Sequence, residues 1–471
     1  MGVFLVIEND EIGNDKLIPL SSFVQGSALP FESIIHNLDD ANPHEAPVKI
    51  RLGGFGSDAA AHPHQPNQFY ALTDRGPNAD FDGAFGAGKR FLLPEFTPRI
   101  GLFELKPDGQ IIKIKEILLK DKTGCPISGL PNPKALGGTN EVAYNAQGFA
   151  MTMNPDLPFD DVSNPLKTDL NGLDPEGLAA LADGSFWISD EYGPHLVHFD
   201  HEGMEIERIN PFAADARNTV DVGGKTLLLP LEFAHRRANR GMEALTITPD
   251  QTTLVGIMES AMDNPDKAAR QSSLARIVTV NLMTGKIAQY LYRLNRAQNV
   301  TSGIEAISGH EFYVIEHDRK FPLQEHSVQK HIYKINILQA TDITDITKFS
   351  NSTNLQKISQ DDYLGLLIDN QTLEQFTSKD DSCWQEFMAM EICPVTKTLA
   401  VDVIAELDYP HDKLEGLWLR RDGSLGLLND DDFGITDVTL PDGRIALEQK
   451  YLDNDKTITD GNRLYLVNPM L

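Results

Sequence analysis

The chain has 471 residues, with 69 acidic against 41 basic side chains and a formal net charge of −28. Such a surface repels nucleic acid and anionic membranes at long range, which excludes both as main partners. No run approaches the ~20 apolar residues of a membrane span, and Cys125, Cys383 and Cys393 form neither a disulfide framework nor a zinc-type spacing.

Residues 1–46 read as an N-terminal extension to a single domain over 47–471. The apolar stretch Val3 to Ile7 is too short for a signal peptide's apolar region, so no export signal is expected. Further on, short apolar strands recur with Gly or Asp-Gly turns between them. The first unit sets Gly56-Ser57-Asp58 ahead of Phe69 to Thr73, ending at Asp74. A hairpin follows, Leu102 to Leu105 and Ile111 to Ile114. A weaker copy starts at Glu141 and runs into Phe149 to Met153. Asp174-Pro175-Glu176-Gly177-Leu178 then precedes a turn at Asp183-Gly184 and the run Phe186 to Glu191. The plan returns at Gly241-Met242-Glu243-Ala244-Leu245 before Leu254 to Glu259, and at Leu414-Glu415-Gly416-Leu417 before Leu425 to Asp430. In these three the turn Asp stands seven residues after the Glu. Gly303-Ile304-Glu305-Ala306-Ile307, before Phe312 to Glu316, is a fourth relative.

Two hairpins per unit make a four-stranded antiparallel blade, so the fold class expected is all-β: a single β-propeller of about six blades, or seven. Val3 to Ile7 or Val48 to Leu52 is expected to supply a closing outer strand. The long interval from Glu305 to Glu415 is expected to hold an insertion within 343–384.

In a propeller, residues just before the first strand and just after the second gather at one mouth. The leading set is Asp58, Glu141, Glu176, Glu243, Glu305 and Glu415; the trailing set is Asp74, Asp190, Glu191, Glu259, Glu316, Asp318 and Asp430. Two carboxylates ~4 Å apart repel by several kcal/mol at a protein-like dielectric. A ring of them needs protons, basic partners or a cation. All-oxygen donors suit Ca2+ best, and Mg2+ or Mn2+ less well. The metal-ligand candidates are Asp74, Glu141, Glu176, Glu191, Glu243, Glu259, Glu305, Glu316, Glu415 and Asp430. The alternative for each acid is a hydrogen bond to the neighbouring blade's backbone. Among interleaved bases, Arg240 reads as a partner for carboxylates, with Lys413 and His411 close to Glu415. Arg75 and Arg319 read as groups facing an anionic substrate. His195 or His317 is a candidate for proton transfer, the alternative being packing. Gly83 to Lys89 has the spacing of a phosphate-binding loop, but Arg90 stands where that loop needs Ser or Thr. It reads as a surface loop overhanging the mouth.

These segments together, from Thr73-Asp74-Arg75-Gly76-Pro77-Asn78 through Ser189-Asp190-Glu191-Tyr192-Gly193-Pro194 to Asn429-Asp430, resemble the esterase-like phytase (phytase-like domain) family. The resemblance spans Pro47 to Asn468. It implies a bacterial β-propeller, often exported, named for hydrolysis of phosphate esters such as phytate. The leading expectation is therefore a metal-dependent hydrolase of phosphate esters, a monomer acting on a small anionic molecule, with Arg75, His195 and Arg319 as its catalytic candidates. The alternatives are a calcium-dependent carboxylic ester hydrolase or lactonase, and a non-catalytic scaffold.

Overall fold

Hairpins whose first two strands are apolar on both faces must be covered on both faces, and that requirement shapes this molecule. Pro175–Ala180 and Phe186–Asp190 are buried along almost their whole length, whereas Ile111–Leu118, farther out in its sheet, exposes most of its residues. The computed structural model describes residues 17–23, 25–36, 47–139, 141–344, 357–441 and 443–470.

Among the described residues, five sheets are four-stranded and antiparallel. The first orders Asp58–Ala61, Gln68–Leu72, Arg99–Leu105 and Ile111–Leu118; the second Pro175–Ala180, Phe186–Asp190, Leu196–Phe199 and Glu205–Ile209. The third orders Met242–Ile247, Thr253–Met258, Leu274–Asn281 and Ile287–Arg293; the fourth Val300–Ala306, Glu311–His317, Lys330–Asn336 and Thr396–Asp402. In the fifth, Gly416–Leu419, Leu425–Leu428 and Arg463–Val467 are joined by Ser27–Ala28. The first strand of each sheet packs against the first strands of the sheets before and after it, and the fifth returns to the first. The sheets thus stand around a common axis.

Five of the six units expected from the repeat form such sheets. The one read around Glu141 does not: Val142–Tyr144 instead pairs in parallel with Gly86–Phe91, beside the hairpin strand Asn78–Gly83. The interval to Glu176 is too short for two hairpins, and residues beyond Tyr144 form only isolated bridges such as Tyr144 to Ala150 and Thr152 to Leu166. Val48–Leu52 does not join the fifth sheet either; it pairs with Glu32–His36. Its expected role falls to Ser27–Ala28, in register with Leu464 and Arg463, while Val3 to Ile7 lies outside the described residues. The insertion sits between the third and fourth strands of the fourth sheet. It contains a three-stranded sheet (Ile358–Asp361, Gly365–Ile368, Gln371–Thr372) and the helices Leu373–Thr377 and Cys383–Ala389. Its Phe376, Trp384 and Phe387 pack on Leu274 and Leu291 of the third sheet. There the buried Arg276 guanidinium grips the Glu374 carboxylate at 2.6 and 2.8 Å.

Close approach at the axis explains a glycine of the repeat. A Cβ on Gly177 would lie 2.3 Å from Leu245 N of the next sheet and 2.3 Å from Ser189 Oγ. Gly177→Ala is therefore expected to lower stability by about 2 kcal/mol or more, read as a shifted urea midpoint. Gly309→Ala, where a Cβ meets nothing within 4 Å, is the control and should stay within about 0.5 kcal/mol. Equal midpoints for the two variants would mean that the strands at the axis part freely.

Candidate active site

Three first strands break register at one point. Pro175 opposes Asp190 and Gly177 opposes Ser189, leaving Glu176 as an extra residue; Glu243 is left over in the same way between Met242 and Ala244, and Ser302 between Thr301 and Gly303. A bulge bends its strand and re-aims the extra side chain. In the fifth sheet Glu415 stands just ahead of the strand, its N–H donating to Leu428 O at 3.0 Å. Glu176, Glu243 and Glu415 thereby line one cavity of about 430 Å³. The second strands deliver Glu191 and Glu259 to it from the residues just past their ends.

The walls carry eleven carboxyl groups and six Arg or Lys side chains, so full ionisation would leave a large uncompensated negative charge. Carboxylate oxygens of Asp174, Glu176 and Glu191 lie within 4.8 Å of one another, and so do those of Glu191, Glu243 and Glu259. Burial pushes Glu176 and Glu243 well above the ordinary carboxylate range, and their acidic neighbours push further. Burial likewise raises Glu191, with repulsion from Asp174 and Glu259, to about 8, although Arg75 and Arg319 oppose the rise. Asp74 and Glu415 are raised by burial too. The arginines answer part of this charge. Arg75 Nη1 is 3.1 Å from Asp174 Oδ2 and donates to Asn239 Oδ1 at 2.9 Å. Arg240 and Arg319 reach Glu259 Oε1 at 3.2 and 3.4 Å. Two buried oxygens, Glu243 Oε2 and Glu259 Oε2, accept no hydrogen bond.

Of the expected ligand set, Asp74, Glu176, Glu191, Glu243, Glu259 and Glu415 meet in this cavity together with Arg75 and Arg319. Glu141 stands beside it, 3.8 Å from Arg75 Nη1 and accepting from Asn239 Nδ2 at 2.5 Å. Asp430 is held behind it by Lys413 at 2.6 Å. Glu305 and Glu316 are not brought there. Glu305 pairs with Tyr313 inside its strand, and the bulge position that matches Glu176 is Ser302, so the apparent Gly-Ile-Glu-Ala repeat is three residues out of step. Its carboxylate accepts from Leu419 N at 3.1 Å and Thr246 Oγ1 at 3.0 Å, tying three sheets together. Glu316 accepts from Tyr292 Oη, Asn295 N and Asn299 Nδ2. His195 is fully buried, 3.0 Å from Asn132 Oδ1, and burial lowers its pKa well below the usual value; it does not line the cavity. His317 is buried as well, and its Nδ1 accepts from Arg319 N at 3.1 Å, which positions that arginine.

Asp174, part of the repeat but not in the expected ligand set, and Asp432, outside the repeat at the end of an Asp430-Asp431-Asp432 run, also line the wall, and Lys413, expected beside Glu415, bridges Asp430 and Asp432 at 2.6 and 2.7 Å. The glycine-rich loop is a β-hairpin, and it does overhang: Asn78, Asp80 and Lys89 reach the cavity, as do Ile435 to Asp437 of a second hairpin, Ile435–Thr439 with Ile445–Gln449.

Among known proteins, an uncharacterized secreted protein of Arthroderma benhamiae is 28% identical over 252 residues, 47% of this chain. That match spans 48% of the relative, about half its length. Two solved structures resemble the chain more loosely. The periplasmic gluconolactonase PpgL of Pseudomonas aeruginosa shares 9% identity, with TM-score 0.29 over 93% of this chain and 99% of that one. The aldose sugar dehydrogenase of Streptomyces coelicolor, in its PQQ-bound form, shares 10% identity, with TM-score 0.31 over 94% and 100%. A family model described as phytase-like, "esterase-like activity of phytase", matches residues 50–433, which hold the first four sheets, the first two strands of the fifth and most of the cavity lining, and the chain belongs to that family.

Proposed function

We propose that the five sheets are the blades of one propeller, and that its axial cavity is the active site of a divalent-metal-dependent hydrolase of phosphate esters. The observation carrying this reading is the pair of sealed, unpartnered oxygens on Glu243 and Glu259 among converging carboxylates. A buried carboxylate oxygen without a donor is costly, and hard cations such as Ca2+ take such oxygens as ligands. The all-oxygen donor set fits Ca2+, with Mg2+ or Mn2+ as weaker fits.

When bound, such an ion neutralises the wall, holds phosphoryl oxygens and lowers the pKa of a water nucleophile. The chain's own groups do the rest. Arg319 and Lys413 line the cavity, and although burial opposes their charge, the surrounding carboxylates hold both cationic well beyond the usual range. They are placed to orient an anionic group and stabilise charge developing on it. Glu415 lies outside both carboxylate clusters, with Lys413 Nζ 3.8 Å from its Oε1, and in its ionised form it is placed to accept the proton of attacking water. The wall's six Arg and Lys side chains fall short of its eleven carboxyl groups, so overcoming the −28 net charge that repels an anionic substrate falls to the bound cation. That polar lining favours phosphate over a lactone, which a drier, more apolar pocket would suit.

Chelator-stripped protein should release phosphate from an aryl phosphate or phytate only after Ca2+ is restored. Glu176→Gln combined with Glu243→Gln should lower that rate at least about a hundredfold while the fold persists. No release from folded, calcium-loaded protein would shift the activity to carboxylic esters or lactones, which the same preparation can be offered next.

Calcium affinity should also depend on pH. Glu191 keeps its proton up to about 8, so below that value an entering ion must displace it. Apparent affinity by calorimetry is expected to climb up to about tenfold per pH unit per proton displaced between about pH 6 and 8. Stability of the metal-free protein runs the other way. The folded chain holds protons that the unfolded chain has already lost, so stability falls as pH rises from the ordinary carboxylate range through about 8. A flat affinity across that window would remove Glu191 from the ligand set.

A further inference from the structure

The two carboxylate clusters share a residue. Glu191 belongs both to the group formed with Glu243 and Glu259 and to the group formed with Asp174 and Glu176, with one oxygen from each member of a group lying within 4.8 Å of the others. The geometry points to two divalent cations seated side by side, with the Glu191 carboxylate bridging them, Glu243 and Glu259 completing one seat, and Asp174 and Glu176 the other. This rests on the reading of the cavity as a cation site and specifies it.

Acidic residues alone would not carry the assignment. What does is the state of their oxygens. Glu243 is 6% exposed and Glu259 1%, and on each the Oε2 atom is sealed from solvent without a hydrogen bond. The arginines do not fill the gap: Arg240 and Arg319 both approach Glu259 Oε1, leaving Oε2 free. On the other side Arg75 approaches Asp174, itself 1% exposed, at 3.1 Å, and that Oδ2 atom also forms no hydrogen bond. One ion balances two of the five carboxylates, and with ligand bonds of about 2.3 to 2.6 Å the oxygens as they stand form two groups of three, each compact enough to surround its own centre. A carboxylate with two oxygens can serve two ions, and paired ions about 3.5 to 4 Å apart suit substrates that present two phosphoryl oxygens.

Mn2+ added to chelator-stripped protein tests this without reference to activity. Two Mn2+ per chain are expected, with the broadened, spin-coupled paramagnetic resonance spectrum of adjacent ions. Glu259→Gln and Glu176→Gln should each retain one ion, showing the resolved hyperfine pattern of isolated Mn2+. Glu191→Gln should abolish the coupling and weaken both seats at least about tenfold. Glutamine preserves the side-chain volume, and thermal unfolding of each variant confirms the fold. A single uncoupled Mn2+ in the unaltered protein, two uncoupled ions, or a Glu191→Gln effect on one seat alone would each overturn the bridged pair. The first of these would leave the one-cation reading of the cavity standing, whereas a folded protein that takes up no Mn2+ or Ca2+ would remove both.

Discussion

Five strands meet around one axis, and the backbone groups they turn toward one another must be satisfied without a conventional ladder. Carboxylates do this. Asp58 accepts from Leu178 N of the second sheet at 2.7 Å and faces Leu417 N of the fifth at 3.4 Å. Glu305 reaches Leu419 N of the fifth and Thr246 of the third. Each buried N–H left without its acceptor would cost about 1 to 3 kcal/mol, and the charge itself is strained there: burial raises Asp58 well above the carboxylate range and Glu305 to about 7. These links tie the first sheet to the second and fifth, and the fourth to the third and fifth.

On the neighbouring first strands, acids of the same type serve a different end. The bulges at Glu176 and Glu243 take a residue out of the ladder just where neighbouring backbones crowd closest, as the clash that any Gly177 side chain would make with Leu245 shows. A small residue for packing and an extra residue for display therefore sit side by side. The consequence is electrostatic. Carboxylates that elsewhere meet N–H donors here meet one another, and burial makes each more costly to ionise.

Much of this was legible in the sequence because glycine and Asp-Gly turns punctuate it. The Asp183-Gly184 and Asp422-Gly423 turns mark hairpins that exist, with both glycines at positive φ. The all-β class, five of the repeat units and most of the acidic wall followed from that punctuation. What failed did so for physical reasons. A bulge leaves no mark in composition, and the Gly-Ile-Glu-Ala run falls three residues past the bulge of its strand, so Glu305 appeared equivalent to Glu243 when Ser302 holds that place. Glu141 copied the acid of the repeat without room for the strands behind it. His195 resembled a site residue because it follows Glu191 by four positions, yet the chain turns it inward toward Asn132. Asp432 and Lys89 come from segments outside the repeat, and only the tertiary fold brings them to the cavity.

The arginines show how such a wall persists at all. At an effective dielectric near 20, an Arg about 3 to 4 Å from a carboxylate is worth roughly 4 kcal/mol, comparable to the repulsion it offsets. Were every oxygen so paired, the cavity would be a closed ion-pair network with nothing left to offer. Instead Arg240 and Arg319 converge on one oxygen of Glu259, and Arg75 is shared among Asp174, Asn239 and the more distant Glu141. Each base neutralises without saturating. The positive groups lower the self-repulsion enough for the fold to hold, and they leave Oε2 of Glu243 and of Glu259 buried without a hydrogen bond. That arrangement contributes little to stability and is costly to bury, which is the physical pattern of a site built for binding rather than for packing.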